Sequence, residues 1–146
     1  NEIGYNYRLT SIQAALGVAQ LEQLPVFLKR KRNIFNQYQT AFDDIVGLTL
    51  VGVPEYSDNN HWMNLLQINS AVYGEDREAL MQRLGKNGIQ TRPVWVLNHL
   101  QKSYRYCQYY LIEQAEDLVS SSLCLPSSSK LNSSDVTHVI SSLVSK

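Results

Sequence analysis

The side chains best suited to hold an anion lie close to the start of the chain. Asn6 carries an amide donor and Arg8 a guanidinium fork, two groups that bind phosphate oxygens well. Tyr5 and Tyr7 flank Asn6, and they could either line a cleft or pack against a neighbouring element. Taken by themselves, these residues favour a loop that enters a helix, with Asn6 in a turn and Arg8 paired with a surface acid.

Several kinds of catalytic or metal site are excluded by the residues present and by their spacing. The three histidines and the two cysteines, Cys107 and Cys124, have no zinc-ligand spacing, and two cysteines are too few for a disulfide framework. Serines are numerous, but no Gly-x-Ser-x-Gly elbow accompanies them, which argues against a serine hydrolase. We therefore interpret His61 and Trp62 as core or rim residues and His138 as a surface residue, and we expect no metal.

The charge balance gives no reason to expect a nucleic acid or a membrane as partner. Thirteen basic and thirteen acidic side chains cancel to a formal net charge of zero. The four consecutive cations at 29–32 have no aromatic residues between them, which is typical of a solvated helix face. No apolar run is long enough to span a bilayer, and no signal peptide is visible. The small number of cysteines favours a reducing, cytoplasmic setting.

The elements that must position these side chains are a long helical arm and a small α+β module. Thr10 and Gln13 predict a capping box, and apolar residues at helical spacing continue to about Asp43. Pro25 is expected to kink this helix or to open a second one. The module is predicted to hold a three- or four-stranded sheet with helices on one face, so we divide the chain into an arm, 1–44, and a domain, 45–146. Its strands are predicted at 48–53, 61–68, 89–92 and 123–125, and its helices at 75–86, 104–120 and 132–144.

Three stretches resemble the DegT/StrS family of pyridoxal-phosphate (PLP) sugar aminotransferases, in the same order and with matching gaps. The first is GYNYRLTSIQAALGVAQL at residues 4–21. The second is GIQTRP at 88–93, followed by Trp95, His99 and Tyr104. The third is LCLP at 123–126, followed by a helix that resembles the closing segment of the family. Together the three stretches extend over essentially the whole chain.

The resemblance implies the C-terminal domain of a fold type I PLP transferase, usually a homodimer. Members move an amino group, commonly from glutamate, to a keto group on a nucleotide-linked sugar. The reaction needs a lysine amine that binds PLP covalently and a carboxylate beside the pyridine nitrogen, and in the family both lie upstream of the first stretch. None of the six lysines lies in a segment that resembles the family's lysine motif, so we assign no catalytic residue and expect this chain alone to be inactive. Because it begins at Asn1 without a methionine, we expect it to have been cut from something longer.

The same resemblance implies roles for residues of the first stretch. Asn6 matches a residue that reaches across the dimer to the cofactor phosphate of the neighbouring subunit, and Arg8 is the second candidate for that phosphate. Tyr5 and Tyr7 are candidates to line the substrate cleft, with packing of the arm as the open alternative.

The loop after the second stretch departs from the common family pattern. It reads Val94-Trp95 and Leu97-Asn98-His99, where many members have a Tyr-Pro pair and Pro-Leu-His. This form resembles a subgroup that acts on UDP-linked 4-keto-6-deoxy-N-acetylhexosamines. The matching family loop carries a histidine near the sugar site, so His99 and its neighbour Asn98 are candidates to contact the sugar. Arg92 is a candidate either to orient the loop or to meet the phosphates of the sugar nucleotide. A surface histidine satisfied within its loop and a structural salt bridge of Arg92 remain open as alternatives.

Two other functions remain open at this point. The chain could be a non-catalytic or remnant domain that serves dimerisation or binding, because a fold by itself does not determine function. It could also belong to a sugar 3,4-ketoisomerase or dehydratase variant that uses PLP. An upstream lysine motif would indicate the aminotransferase, a histidine at that position the variant, and a start codon just before Asn1 the remnant.

Overall fold

A single long helix opens the computed structural model, which describes residues 4–144. Helix α1 spans Ser11–Phe42. At its start the side chain of Thr10 accepts the N–H of Gln13 at 3.3 Å, while Gln13 Oε1 accepts the N–H of Thr10 at 2.8 Å. This is the predicted capping box. The outermost residues of the predicted arm and domain, 1–3 and 145–146, lie outside the described residues.

Pro25 lies inside α1 and does not open a second helix, so that part of the prediction is wrong. A proline inside a helix removes one backbone N–H and leaves the carbonyl one turn earlier without its donor. Every residue from 4 to 26 is exposed, so water can bind that carbonyl. The helix therefore continues through Pro25 in this exposed part of α1. In a buried helix the unpaired carbonyl would cost more free energy.

Four short strands form one antiparallel sheet in the order β1-β2-β4-β3. They are β1, Leu48–Leu50; β2, Asn64–Ile68; β3, Arg92–Pro93; and β4, Ser122–Leu125. Leu66 pairs with Leu123, while Leu65 and Arg92 both pair with Cys124. Since side chains alternate between the faces of a strand, Leu66 and Leu123 lie on one face, and Cys124 and Arg92 lie on the other.

The remaining helices are α2, Ser70–Tyr73; α3, Arg77–Lys86; α4, Glu113–Ser121; and α5, Ser133–Val144. The predicted helix at 104–120 is wrong in its first half, since α4 begins only at Glu113. All residues from 101 to 111 are exposed, and Leu111 takes a φ of 50°, outside the helical region. This tyrosine-rich stretch therefore has no buried face that would stabilise a helix.

The hydrophobic core lies between one face of the sheet and helices α1, α3 and α5. Tyr38 is fully buried, stacks on Phe42 at 5.7 Å between ring centroids, and donates its hydroxyl to the carbonyl of Pro126 at 3.1 Å. Burial raises the pKa of the Tyr38 phenol. Helix α4 adds no buried residue. The predicted α+β class is thus confirmed, a helical arm followed by a small sheet with its core helices on one face.

A glycine at the junction of arm and domain allows a close backbone approach. Gly47 lies just before β1 with a φ of 89°, in the left-handed region. A Cβ atom there would lie 2.6 Å from the backbone nitrogen of Tyr73. The turn from α1 into the sheet therefore requires the absence of a side chain.

A polar cluster ties α3 to the end of α5. The Nε of Arg83 lies 3.0 Å from both carboxylate oxygens of Glu75, and an Nη of Arg83 donates to the hydroxyl of Tyr73 at 2.8 Å. Tyr73 in turn donates to the carbonyl of Leu143 at 2.7 Å. These contacts hold α2, α3 and α5 together on the side of the core away from the sheet's exposed face.

Candidate functional site

The four candidates of the first stretch lie together in the short segment that precedes α1. The rings of Tyr5 and Tyr7 stack at 5.7 Å, and both are largely exposed. Asn6 Oδ1 accepts the N–H of Arg8 at 3.4 Å, a long contact between a side chain and the backbone two residues later. Within residues 4–144, Arg8 makes no ion pair, so the predicted surface acid is not found there.

The first half of α1 holds this segment away from the rest of the chain. The sixteen helical residues 11–26 are all exposed, which corresponds to about 24 Å of helix at 1.5 Å per residue. Their large apolar side chains are Ile12, Leu16, Val18, Leu21, Leu24 and Val26. Any site built around Asn6 and Arg8 therefore needs a surface other than the domain that follows α1 in this chain.

Arg92 lines a groove on the sheet face opposite the core. The groove has a volume of about 540 Å³, and Gln90, Cys124 and Ser127 line it with Arg92. The rings of Trp62 and Trp95 meet at its edge, 5.5 Å apart and inclined by 52°. They remain 57% and 65% exposed. No salt bridge of Arg92 occurs among residues 4–144, so the structural pairing considered for it is not found.

Asn98 and His99 lie in a single turn of 3-10 helix, Asn98–Leu100, and line a second cavity of about 300 Å³. His99 Nε2 lies 3.1 Å from a carboxylate oxygen of Glu116, and its ring packs against Tyr109 at 5.0 Å. Asn98 Oδ1 accepts the side-chain N–H of Gln101 at 3.3 Å. The imidazole is therefore held by its own loop and by α4, with one ring nitrogen engaged.

The structure thus divides the predicted site residues among three places. Tyr5, Asn6, Tyr7 and Arg8 share one exposed segment, Arg92 lines the groove, and Asn98 and His99 line the second cavity. The loop at 94–99 connects the last two, since it contributes Val96 to the groove and Leu97 to the cavity.

No described lysine lies in the groove or in the cavity beside His99. Lys31 donates to the carbonyl of Ser127 at 2.7 Å, and burial lowers the pKa of its amine. The other lysines within residues 4–144 are exposed. The amide of Asn6 and the guanidinium of Arg8 fit a phosphate group, whereas the described lysines do not fit covalent attachment of PLP. No cluster of three or more metal-ligating side chains is found in this part of the chain.

Sequence reasoning missed Trp62 and Trp95 as groove residues. Trp62 follows His61, whose φ of 48° interrupts the extended chain and delays β2 to Asn64. The available signal was the pair Asn59-Asn60, because asparagine side chains often close turns on the backbone two residues later. The packing of Trp95 against Trp62 is a tertiary contact, which local sequence patterns do not predict.

Comparison with known proteins places the whole chain in one family. The sequence model of the DegT/DnrJ/EryC1/StrS aminotransferase family matches residues 1–144. EpsN of Bacillus subtilis (strain 168), which carries the name of a pyridoxal phosphate-dependent aminotransferase, is 33% identical over 99% of this chain and 37% of its own length. A GDP-perosamine synthase of Escherichia coli O157:H7 is 35% identical over 97% of this chain and 37% of its own length.

Solved structures agree with this placement. The aminotransferase TlmJ of Streptoalloteichus hindustanus superposes with a TM-score of 0.79 at 26% identity, over 90% of this chain and 35% of its own. The chain therefore spans a little over a third of the length of the proteins it matches. Within residues 4–144, no helix combines the length and the apolar character needed to cross a membrane.

Proposed function

Because the chain belongs to the DegT/DnrJ/EryC1/StrS aminotransferase family, whose members depend on PLP, we propose that it is the C-terminal part of an enzyme that moves an amino group from glutamate to the keto group of a nucleotide-linked sugar. The observation that carries this proposal is the match of the family over residues 1–144. Two relatives support the sugar substrate by name, a GDP-perosamine synthase and DesI, whose structure was determined with its TDP-sugar product.

Asn6 and Arg8 bind the phosphate of PLP in this proposal, and they do so in the neighbouring subunit of a homodimer. The exposed first half of α1 supports this, because it carries both residues beyond the reach of their own domain. PLP, when bound, supplies the electron sink through which the amino group moves. The covalently bound lysine belongs to another part of the enzyme, so the present chain alone is inactive.

Arg92, Asn98 and His99 contact the sugar nucleotide, and Tyr5 and Tyr7 line its cleft. Arg92 supplies a cation that no described carboxylate neutralises, which suits the phosphates. Glu116 orients the ring of His99 so that the second ring nitrogen can meet a sugar hydroxyl or carbonyl. The departures in the loop at 94–99 favour a UDP-linked 4-keto-6-deoxy-N-acetylhexosamine as the sugar.

We also place the enzyme in the cytoplasm, as part of amino-sugar synthesis for cell-surface polysaccharide. Cys107 and Cys124 are both free thiols, and Cys107 is exposed, which suits a reducing compartment.

The proposal is tested by isotope transfer with the complete enzyme. The PLP-loaded protein is incubated with L-glutamate carrying 15N on its amino group and with UDP-, GDP- and TDP-linked 4-keto sugars. We expect 15N in one nucleotide-linked amino sugar by mass spectrometry, with 2-oxoglutarate formed in equal amount. Formation of 2-oxoglutarate with 15N going only to non-sugar keto acids would contradict the sugar substrate.

A further inference from the structure

We propose that Trp62 and Trp95 form a platform on which the base of the substrate nucleotide stacks, while Arg92 in the same groove binds its diphosphate. This inference rests on the proposed function, which provides a nucleotide-linked substrate, and it names the residues that recognise the nucleotide part. Aromatic side chains bind bases through their flat faces, with little dependence on base identity.

Trp62 is held in place by an unusual backbone. His61 adopts a φ of 48°, a conformation that costs free energy for a residue with a side chain. Its N–H donates to Asn59 Oδ1 at 2.7 Å, and the N–H of Trp62 donates to Asn60 Oδ1 at 2.9 Å. The hydroxyl of Ser127, which also lines the groove, donates to the carbonyl of Trp62. The backbone that presents Trp62 is thus fixed on both sides before any ligand arrives.

The two indoles pack against each other and yet remain largely exposed. Leaving large aromatic surface in water is unfavourable, so a pair of exposed tryptophans at the edge of a cavity indicates a surface that another group covers. Their inclination of 52° opens a corner beside the groove of about 540 Å³, a volume in the range of small-molecule sites.

Charge indicates a small anion-bearing ligand as the occupant. Arg92 is exposed on β3 and has no carboxylate partner within residues 4–144. Gln90 adds a side-chain amide to the same lining. A flat aromatic face next to an unneutralised guanidinium is complementary to a base followed by a diphosphate, since guanidinium binds phosphate through two parallel hydrogen bonds.

The test is a titration of the complete enzyme with UDP, GDP, TDP and inorganic pyrophosphate by isothermal calorimetry. Pyrophosphate has no base and therefore isolates the contribution of Arg92. The variants are Trp62→Leu, Trp95→Leu and Arg92→Gln, and Tyr56→Leu is the control because Tyr56 is 93% exposed and lies outside the groove. Leucine keeps apolar volume but offers no flat face.

We expect the tightest nucleoside diphosphate to lose about tenfold in affinity in each tryptophan variant, as removal of one stacking residue predicts. Pyrophosphate should bind these two variants like the wild type, whereas Arg92→Gln should weaken both ligands and Tyr56→Leu neither. Nucleoside diphosphate affinities within twofold of wild type in both tryptophan variants would overturn the platform. So would a wild-type enzyme that binds pyrophosphate as tightly as every nucleoside diphosphate.

Two further measurements distinguish failure of the platform from unfolding of a variant and from failure of the proposed reaction. A leucine variant without a thermal unfolding transition is not folded and cannot test the platform. In that case we measure nuclear Overhauser effects between base protons and indole protons in the wild type. Their absence at saturating nucleotide would count against the platform. Release of 2-oxoglutarate from L-glutamate is followed on the same preparations. If 2-oxoglutarate is released but the nucleotide affinities of the tryptophan variants are unchanged, the platform is overturned and the proposed reaction stands. If the affinities fall as expected but no 2-oxoglutarate is released, the platform is supported and the proposed reaction is contradicted.

Discussion

His61 combines a left-handed backbone with a partly buried ring. The ring packs against Phe35 at 4.3 Å between centroids. Burial lowers the pKa of His61 and the charge of Arg32 lowers it further, while Asp58 opposes them. The fold therefore favours the neutral imidazole. This contribution to stability is complete above the ordinary histidine pKa of about 6.5 and is lost as the pH falls below it.

Replacing His61 with asparagine should remove this acid sensitivity. Asparagine does not titrate, and it tolerates a positive φ better than most residues. We expect the melting temperature of the wild type to fall more steeply between pH 7.5 and pH 5 than that of His61→Asn. Thermal denaturation followed by circular dichroism measures both profiles, and parallel profiles would show that His61 does not cause the pH dependence.

Asn6 gives a second prediction at the scale of a single residue. A hydrogen bond to a charged phosphate contributes about 1.5–3 kcal/mol, so Asn6→Ala in the complete enzyme should raise the Kd for PLP about tenfold or more. Titration of the apoenzyme with PLP measures this. Asn36→Ala, at an exposed position in the packed half of α1, is the matched control and should bind PLP like the wild type. An unchanged Kd in Asn6→Ala would remove Asn6 from the phosphate site.

At the scale of elements, the junction between α1 and β1 depends on Gly47. A methyl group there would meet the Tyr73 backbone nitrogen at 2.6 Å, and the φ of 89° disfavours any side chain. We expect Gly47→Ala to lower the free energy of unfolding by more than about 2 kcal/mol in urea denaturation. Gly17→Ala is the control, because nothing lies within 4 Å of its Cβ position. In a helix that change should be neutral or stabilise by at most about 1 kcal/mol. Equal stabilities of the two variants would contradict this account of the junction.

Elements with strong local signals could be predicted from the sequence, and elements set by tertiary contacts could not. The capping box of α1 satisfies backbone groups locally and was predicted. The predicted start of the last helix near residue 132 coincides with a local reciprocal pair, Asn132 and Asp135. The short helix α2 was missed, because its only buried residue, Tyr73, is fixed by α5 and Gly47. The stretch at 104–112 was predicted helical, although the fold buries none of its residues.

The same distinction applies to the candidate site. A contact of the Asn6 side chain with nearby backbone could be expected from local rules, and Asn6 Oδ1 accepts the N–H of Arg8 at 3.4 Å. The groove could not be expected, because Trp62, Arg92 and Trp95 come together only when β4 pairs with both β2 and β3. The phosphate and sugar roles of the named residues remain predictions.

At the scale of the whole molecule, the apolar surface of α1 needs a partner. Ile12, Leu16 and Leu21 are 76%, 61% and 65% exposed. Burying them against a partner would remove a large apolar area from contact with water, which is favourable. We expect the 146-residue chain, studied alone, to self-associate through this helix at high concentration. Light scattering after size exclusion measures its mass.

The double variant Ile12→Glu with Leu16→Glu should shift that equilibrium towards the monomer. Tyr56→Glu adds a charge at a position 93% exposed and outside α1, and it should leave the association unchanged. A wild-type chain that is monomeric at high concentration would show that these side chains do not drive association.

We propose that residues 1–146 belong to a PLP-dependent aminotransferase that takes its amino group from glutamate. The most direct measurement is the visible absorption spectrum of the complete enzyme with PLP, before and after addition of L-glutamate. The account predicts a PLP absorption band that disappears on addition of glutamate, with one 2-oxoglutarate released per bound cofactor. A complete enzyme that binds no PLP, or whose PLP band is unchanged by glutamate, would contradict it.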